Sequence, residues 1–146
     1  MKRIRFFGAI AVCLLAFCVF ARAAGEIRIS ASLAVDNGII DEALSKSGLR
    51  FDWSGTKVTK HIQAIGTSEE AIDLGEITTL GYFMAINLDS TNYVEIRSGT
   101  GAGNDVIRLD ANNGVCLLRW GSDVTAPYAV ANTASCNVLF LHIAGG

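Results

Sequence analysis

The side chains able to do chemistry are few and scattered along the chain. His61 and His142 are its only two histidines, and neither has a second histidine, a cysteine or a carboxylate at the spacing of a metal-binding motif. His142 lies near the end of an apolar stretch, where a histidine usually has a structural role. The sequence therefore predicts no metal site and no cofactor.

Two turn-like segments resemble ligand-binding loops in composition only. Residues 99–103 read GTGAG, but a phosphate-binding loop needs a helix directly behind it, and a strand is expected there instead. Residues 110–114 read DANNG, yet their oxygen ligands are not at the alternate positions of a calcium loop, and no bidentate glutamate closes it. We expect both segments to be turns between strands.

Nucleophilic catalysis has no candidate residues either. No serine lies in a Gly-x-Ser-x-Gly elbow, and the local sequence suggests no cysteine–histidine pair. Glu69 and Glu70 are adjacent carboxylates, for which a solvated loop is the common setting, whereas the paired carboxylates of a glycosidase come from separate places in a fold. The sequence thus predicts that the protein is not an enzyme.

Cys116 and Cys136 are the only cysteines beyond the N-terminal stretch. In an exported protein they could be oxidised to one disulfide. The alternative, which we favour, is that both are small buried residues on neighbouring strands, because free cysteine is commonly buried.

The N-terminus has the three parts of a signal peptide in their usual order. A basic start is followed by an uncharged apolar run over residues 6–21 and by small residues at positions 21, 23 and 24. We predict a signal peptide or leader over residues 1–23, helical in its apolar part, with cleavage after Ala23. The apolar run is short for a membrane span, which needs about 20 residues, so membrane contact is expected only through this leader. An uncleaved anchor and an upstream start codon are the alternatives.

The formal net charge of −2 hides an uneven distribution. Four of the 12 basic residues lie in the leader, and none of the 14 acidic ones does. Beyond residue 23 the chain therefore carries a net charge of about −6, which repels polyphosphate. No nucleic acid partner is expected.

The rest of the chain has the pattern of short strands separated by turns. Residues 26–35 alternate between apolar and polar side chains, which is typical of a half-buried strand. Residues 49–53 fit a loop or a short strand. Residues 57–65 fit a helical face as well as an irregular strand, and we favour a strand because everything downstream is β.

Two hairpins and a last strand are predicted further along the chain: strands over 82–88 and 92–97 around the turn 89–91, strands over 106–109 and 115–120 around the turn 110–114, and an apolar strand over 135–143. Turns at this spacing, without a long helical pattern between them, indicate an all-β fold. We predict an antiparallel, jelly-roll-like β-sandwich of about 7–9 short strands, forming a single domain over residues 24–146.

Residues 74–96 read LGEITTLGYFMAINLDSTNYVEI, where a leucine-glycine link and an aromatic strand precede the series Asn-Leu-Asp-x-Thr-Asn-Tyr-Val. Residues 126–134 read APYAVANTA and precede the apolar last strand. This ordered series, over about residues 26–143, resembles small virion proteins encoded by phages, prophages and viral metagenomes. The resemblance implies a β-sandwich part of head, collar or tail-accessory type that assembles with copies of itself or with other virion proteins. Strand edges and the apolar last strand would be available for these contacts.

A second interpretation is an exported binding module, such as a lectin-like surface domain, because loops at the end of a β-sandwich suit recognition. Its interaction residues would be the polar ones of two loops: Asp89, Ser90, Thr91, Asn92, Gly101, Asn104 and Asp105. Aromatic residues such as Phe83, Trp120 and Phe140 could stack on sugars, although core packing is their commoner use. The first interpretation places the protein in a virion, and the second places it in the exported, periplasmic or extracellular space.

Overall fold

A computed structural model describes the chain over residues 25–36, 41–101 and 106–145. Two sets of predicted features lie outside the described residues: the leader over residues 1–23 with its cleavage site at Ala23, and the loop residues Asn104 and Asp105.

The described chain is all-β, as predicted, and it forms two units that divide between Trp53 and Ser54. The division falls within residues 24–146, for which the sequence predicts one domain, and each unit is described by itself. No helix long and apolar enough to cross a bilayer occurs in the described part of the chain.

The first unit contains an antiparallel hairpin of two long strands, β1 (Gly25–Asp36) and β2 (Asp41–Trp53). The strand predicted over residues 26–35 is confirmed. β2 is much longer than predicted, because β1 offers hydrogen-bonding partners along its whole length. One extra residue of β2 forms a β-bulge opposite Ser30, where Gly48 has a φ of +65° and its N–H donates to Ser30 Oγ at 3.2 Å.

The second unit contains eight strands in two antiparallel sheets. The strands are β3 (Val58–Ile65), β4 (Glu70–Ala71), β5 (Leu80–Asn87), β6 (Val94–Arg97), β7 (Val106–Leu109), β8 (Val115–Arg119), β9 (Tyr128–Ala131) and β10 (Cys136–Ala144). One sheet has the strand order β3-β10-β5-β8 and the other has β4-β9-β6-β7. Because the two sheets share one hydrophobic core, this unit has the antiparallel β-sandwich arrangement, and the strand favoured for residues 57–65 is confirmed.

Both hairpins predicted in this unit are wrong. β5 and β6 follow each other around the turn at Asp89, yet they belong to different sheets, and so do β7 and β8. The links therefore cross between sheets instead of reversing within one. The reason is burial, because Phe83 of β5 and Ile96 of β6 can then oppose each other across one core. The hairpin that does form joins β6 to β7, through the link that contains Gly101.

The core lies between the sheets and consists of alternate residues of the strands. β5 contributes Phe83 and Ala85, and β10 contributes Val138 and Phe140, all at most 1% exposed. The ring of Phe83 lies 5.9 Å from that of Phe140 and 5.1 Å from that of Trp120, so these aromatics pack the core. Burying a side chain of this size stabilises a fold by about 1.5–3 kcal/mol.

Asn87 is the polar residue that connects the two sheets at one end of the sandwich. Its side chain is fully buried at the end of β5. Its Nδ2 donates to the carbonyl oxygens of Asn92 at 2.8 Å, Leu109 at 3.1 Å and Asp110 at 3.2 Å. Its Oδ1 accepts from the N–H of Asp89 at 3.0 Å. Since buried polar groups need partners, these bonds fix both crossing links, β5 to β6 and β7 to β8.

The possible disulfide between Cys116 and Cys136 is not formed, and both thiols are free. Cys116 lies on β8 and Cys136 on β10, with β5 between them in the sheet. Two inter-strand spacings amount to about 10 Å, whereas disulfide-bonded residues have Cα atoms about 4.4–6.8 Å apart. The favoured alternative is right about burial, since Cys136 is fully buried and Cys116 packs against the core from a half-buried position. It is wrong about the strands, which are not neighbours.

We expect Asn87→Ala to lower the free energy of unfolding by about 2–4 kcal/mol, because it removes one hydrogen bond from each of three carbonyl oxygens and from one N–H. Urea denaturation followed by tryptophan fluorescence measures the loss. Asn132→Ala, at an exposed position in the link before β10, is the matched control and should change the stability by less than about 0.5 kcal/mol. Equal stabilities of the two variants would show that the links close without Asn87.

Burial raises the pKa of the Cys116 thiol to about 11, so at pH near 8 its thiolate is about a hundredfold scarcer than that of an ordinary cysteine. We expect iodoacetamide to alkylate Cys116 more slowly than a model thiol by about that factor in the folded protein, and at the ordinary rate in urea. Peptide mapping by mass spectrometry measures both rates. Recovery of the Cys116 peptide linked to the Cys136 peptide, without reductant, would refute the free thiols.

Candidate functional site

Residues of four strands form two rows across the outer face of the β3-β10-β5-β8 sheet. The strand register places side by side, in one row, Ile62, Leu139, Ile86 and Val115, and in the next row Lys60, Leu141, Met84 and Leu117. Every one of these side chains except that of Lys60 is apolar. We call the apolar residues of the two rows the apolar face.

The apolar face is open to solvent at its two edges and half-buried at its centre. Ile62 is 59% exposed, Val115 57% and Leu117 42%, while the members on β5 and β10 are partly covered. An antiparallel sheet with one solvated side usually has polar side chains there. β5 and β10 are instead apolar on both faces, which is the pattern of strands covered on both sides. The sheet is thus suited to a further layer.

The outer face of the other sheet shows the contrast. There Arg97 on β6 lies 2.6 Å from the carboxylate of Glu95 and 2.8 Å from that of Glu69, and Arg108 on β7 lies 3.9 Å from the ring centre of Tyr93. Such groups are compatible with water and with one another. The sandwich therefore has one polar outer face and one apolar outer face.

Polar groups lie around the apolar face. Lys60 is on the edge strand β3, and on the opposite edge strand Arg119 lies 5.8 Å from the ring centre of Tyr82. Asn137, which is exposed, precedes Leu139 on β10. Neither row contains an acidic side chain. An apolar centre with a polar border is the usual anatomy of a protein–protein interface.

The predicted interaction loop at residues 89–92 is a self-contained turn. Asp89 Oδ1 accepts from the N–H of Asn92 at 2.6 Å and from that of Thr91 at 2.8 Å. These bonds lower the pKa of the Asp89 carboxyl. Asn92 in turn accepts a hydrogen bond from the hydroxyl of Thr133. Ser90 and Thr91 have exposed side chains. The Asp89 carboxylate, which is the charged group of this loop, instead accepts hydrogen bonds from the loop itself.

Gly101, the other predicted interaction residue that the structure describes, is held by Glu69. Its N–H donates to the two carboxylate oxygens at 2.9 and 3.0 Å, and this bond, with the Arg97 pair, lowers the pKa of Glu69. Glu69 is therefore engaged in bonds and is not the solvated loop residue that the sequence predicts. Gly101 follows the end of β6 and residues 89–92 precede its start, so these described residues of the two predicted loops adjoin opposite ends of one strand.

His61 and His142 lie side by side on the inner face of the β3-β10-β5-β8 sheet. Their rings are 6.0 Å apart, His142 is 1% exposed, and the ring nitrogens of both have no hydrogen-bond partner. Burial, together with the proximity of His61, lowers the pKa of His142 to about 4. Among the described residues no group of three or more His, Cys, Asp and Glu could hold a metal ion. The pair acts here as part of the packing.

A small pocket lies beside the start of β3. Its volume is about 250 Å³, whereas ligand sites have about 300–1,000 Å³. Lys57 is its charged lining residue, and Lys57 Nζ already donates to the Glu76 carbonyl oxygen at 3.0 Å and lies 3.4 Å from the Glu76 carboxylate. The pocket is a poor candidate for a ligand site.

Sequence reasoning finds only part of the apolar face. It points to the last strand, whereas the members on β3, β5 and β8 go unnoticed. The signal for β5 was available, because residues 82–88 and 137–143 are nearly continuous apolar runs instead of alternating ones, and such runs indicate strands covered on both faces. No local signal identifies Ile62 and Leu117 as neighbours of these strands.

The buried His142 makes the stability of the fold depend on pH. Its pKa is about 4 in the folded protein and about 6.5 in an unfolded chain, so the unfolded chain binds the extra proton between these values. The stability that neutral His142 contributes is complete above about pH 6.5 and is lost as the pH falls towards 4, by about 3 kcal/mol in total.

Urea denaturation at several pH values in this range measures that loss. We expect His142→Phe, which keeps an aromatic ring beside Phe83 and Phe140, to remove most of the pH dependence. The exposed position Thr125 serves for a neutral control, Thr125→Val, which should keep the dependence. An undiminished dependence in His142→Phe would contradict the assignment.

No protein-family model, curated protein or solved structure matches this chain.

Proposed function

We propose that the protein is a non-enzymatic virion structural protein of phage type, which associates with copies of itself through the apolar face. The observation that carries the proposal is the contrast between the two outer faces of the sandwich. One carries paired charges at Arg97 and Arg108, and the other has two rows across four strands that are aliphatic except for Lys60 and Met84. Its proposed location is the virion particle.

The strand order supports an assembly role. Numbered within the sandwich, the strands of one sheet follow the order 1-8-3-6 and those of the other sheet the order 2-7-4-5. This order supports a jelly roll, the double Greek-key arrangement of many viral capsid domains and of lectins. Because one fold can have many functions, the strand order gives only additional support, and the apolar face remains the main support for the proposal.

A second copy of the chain is the partner that the apolar face fits. An apolar surface gains free energy when it leaves water against another apolar surface, and two sheets can pack face to face about 10 Å apart. The charged groups Lys60 and Arg119 lie on opposite edge strands. The centre of the apolar face therefore needs no charged group on its partner. Every copy carries the same face, and contacts between copies therefore cover it.

The second candidate is an exported binding module, which the jelly-roll order also accommodates because lectins share it. It has less support from the loops. Asp89 and Glu69 use their carboxylates within the protein, and the loops that contain Asn92 and Gly101 adjoin opposite ends of β6. These features of the described residues favour the first candidate.

Leu117→Glu tests the proposed association. A carboxylate at this position would be buried in the contact without a partner, so we expect self-association to weaken at least about a hundredfold. Light scattering at about 100 μM, with protein expressed from the full-length gene, compares the masses. Ser122→Glu adds the same charge in an exposed turn outside the apolar face and should keep the wild-type mass.

A wild-type protein that is monomeric under these conditions would overturn the proposal. A Leu117→Glu variant with the wild-type mass would overturn it as well. Urea denaturation of both variants verifies that any loss of mass reflects association and not unfolding.

A further inference from the structure

The β1–β2 hairpin of the first unit has an apolar surface of its own. Leu33 on β1 and Leu44 on β2 are partners in the strand register and are 76% and 69% exposed. Ala31 and Lys46 form the next pair on the same side. We call Ala31, Leu33 and Leu44 the hairpin face. Two large aliphatic side chains are thus left in water at neighbouring positions of one ladder.

A ladder of two strands needs a further layer. A hairpin of two strands is at best marginally stable in water unless its apolar side packs against something. Covering Leu33 and Leu44 would stabilise the hairpin, because it would remove their exposed apolar surface from water. The opposite side of the hairpin carries charged groups that are compatible with water, since Glu26 lies 2.7 Å from Arg28 and 3.3 Å from Arg50.

The charges beside the hairpin face are self-complementary. Glu42, Leu44 and Lys46 are alternate residues of β2 and so share one side of the strand. A negative and a positive group therefore flank Leu44 at equal distances, about 7 Å along the strand in either direction.

A two-fold axis between two copies, perpendicular to the strands and passing at the Leu33–Leu44 pair, lays β2 of one copy over β2 of the other in the opposite direction. Leu44 then faces Leu44, and each Glu42 faces Lys46 of the second copy. A two-fold axis parallel to the strands would instead place Lys46 against Ala31, which leaves the charge without a partner. Charge pairing selects the first arrangement.

We propose that the hairpin face is a second self-association surface, which packs against the hairpin face of another copy about the perpendicular two-fold axis. It involves other residues and another unit than the apolar face. The two proposals therefore stand or fall separately.

Charge reversal in the Leu117→Glu background tests this arrangement, because that background removes association through the apolar face. Sedimentation equilibrium on protein expressed from the full-length gene should show a dimer. We expect Glu42→Lys and Lys46→Glu to weaken this dimer about tenfold each, since each reverses two facing pairs per interface. The double variant Glu42→Lys/Lys46→Glu restores opposite charges and should recover to within about threefold of the background.

Leu44→Glu should give a monomer in the same background, while Ser45→Glu, on the other side of β2, should leave the dimer intact. Single reversals without effect, or a double variant as weak as the singles, would overturn the proposal, and so would a background that is already monomeric at about 100 μM. If only the apolar-face proposal is wrong, Leu117→Glu keeps the wild-type mass and the charge series still shows loss and recovery.

Discussion

The hydrogen bonds of Asn87 are the constraint on which the second unit depends. One buried amide at the end of β5 bonds to the link towards β6 and to the link that leaves β7. Those bonds favour the crossing of each link between the sheets, because they satisfy the buried amide of Asn87 only when both links lie beside it. The crossing in turn decides which strands are neighbours, and hence which side chains share an outer face. A polar contact inside the protein thereby determines what its surface looks like.

The two outer faces that result have opposite character. Arg97 and Arg108 lie on a face of paired charges, whereas Leu117 and Ile62 border a face that is aliphatic across four strands. The polar face is suited to contact with water. The apolar face is not, because covering its exposed aliphatic rows would provide free energy. The proposed self-association gives this second face the layer that its strands require.

The sequence predicts local structure here better than it predicts pairing. Alternation identifies β1, and turn chemistry identifies residues 110–114, where Asn112 and Asn113 do adopt positive φ values of 59° and 69°. The same turn residues suit a hairpin and a link between sheets, so the pairing of β7 with β8 was predicted wrongly. What decides between them is the long-range contact of Asn87 with Leu109. The apolar face follows from that pairing and so could be predicted only in part.

The position of β10 has a consequence for how the chain is made. β10 is the last of the described strands, yet it lies in the interior of its sheet, between β3 and β5. Until residues 136–144 have left the ribosome, both of those strands have an open edge, which is a condition for mispairing with other chains. Because nearly all contacts of this sheet join distant segments, its closure is slow by topology. The sheet therefore keeps these open edges until the last of the described strands has emerged.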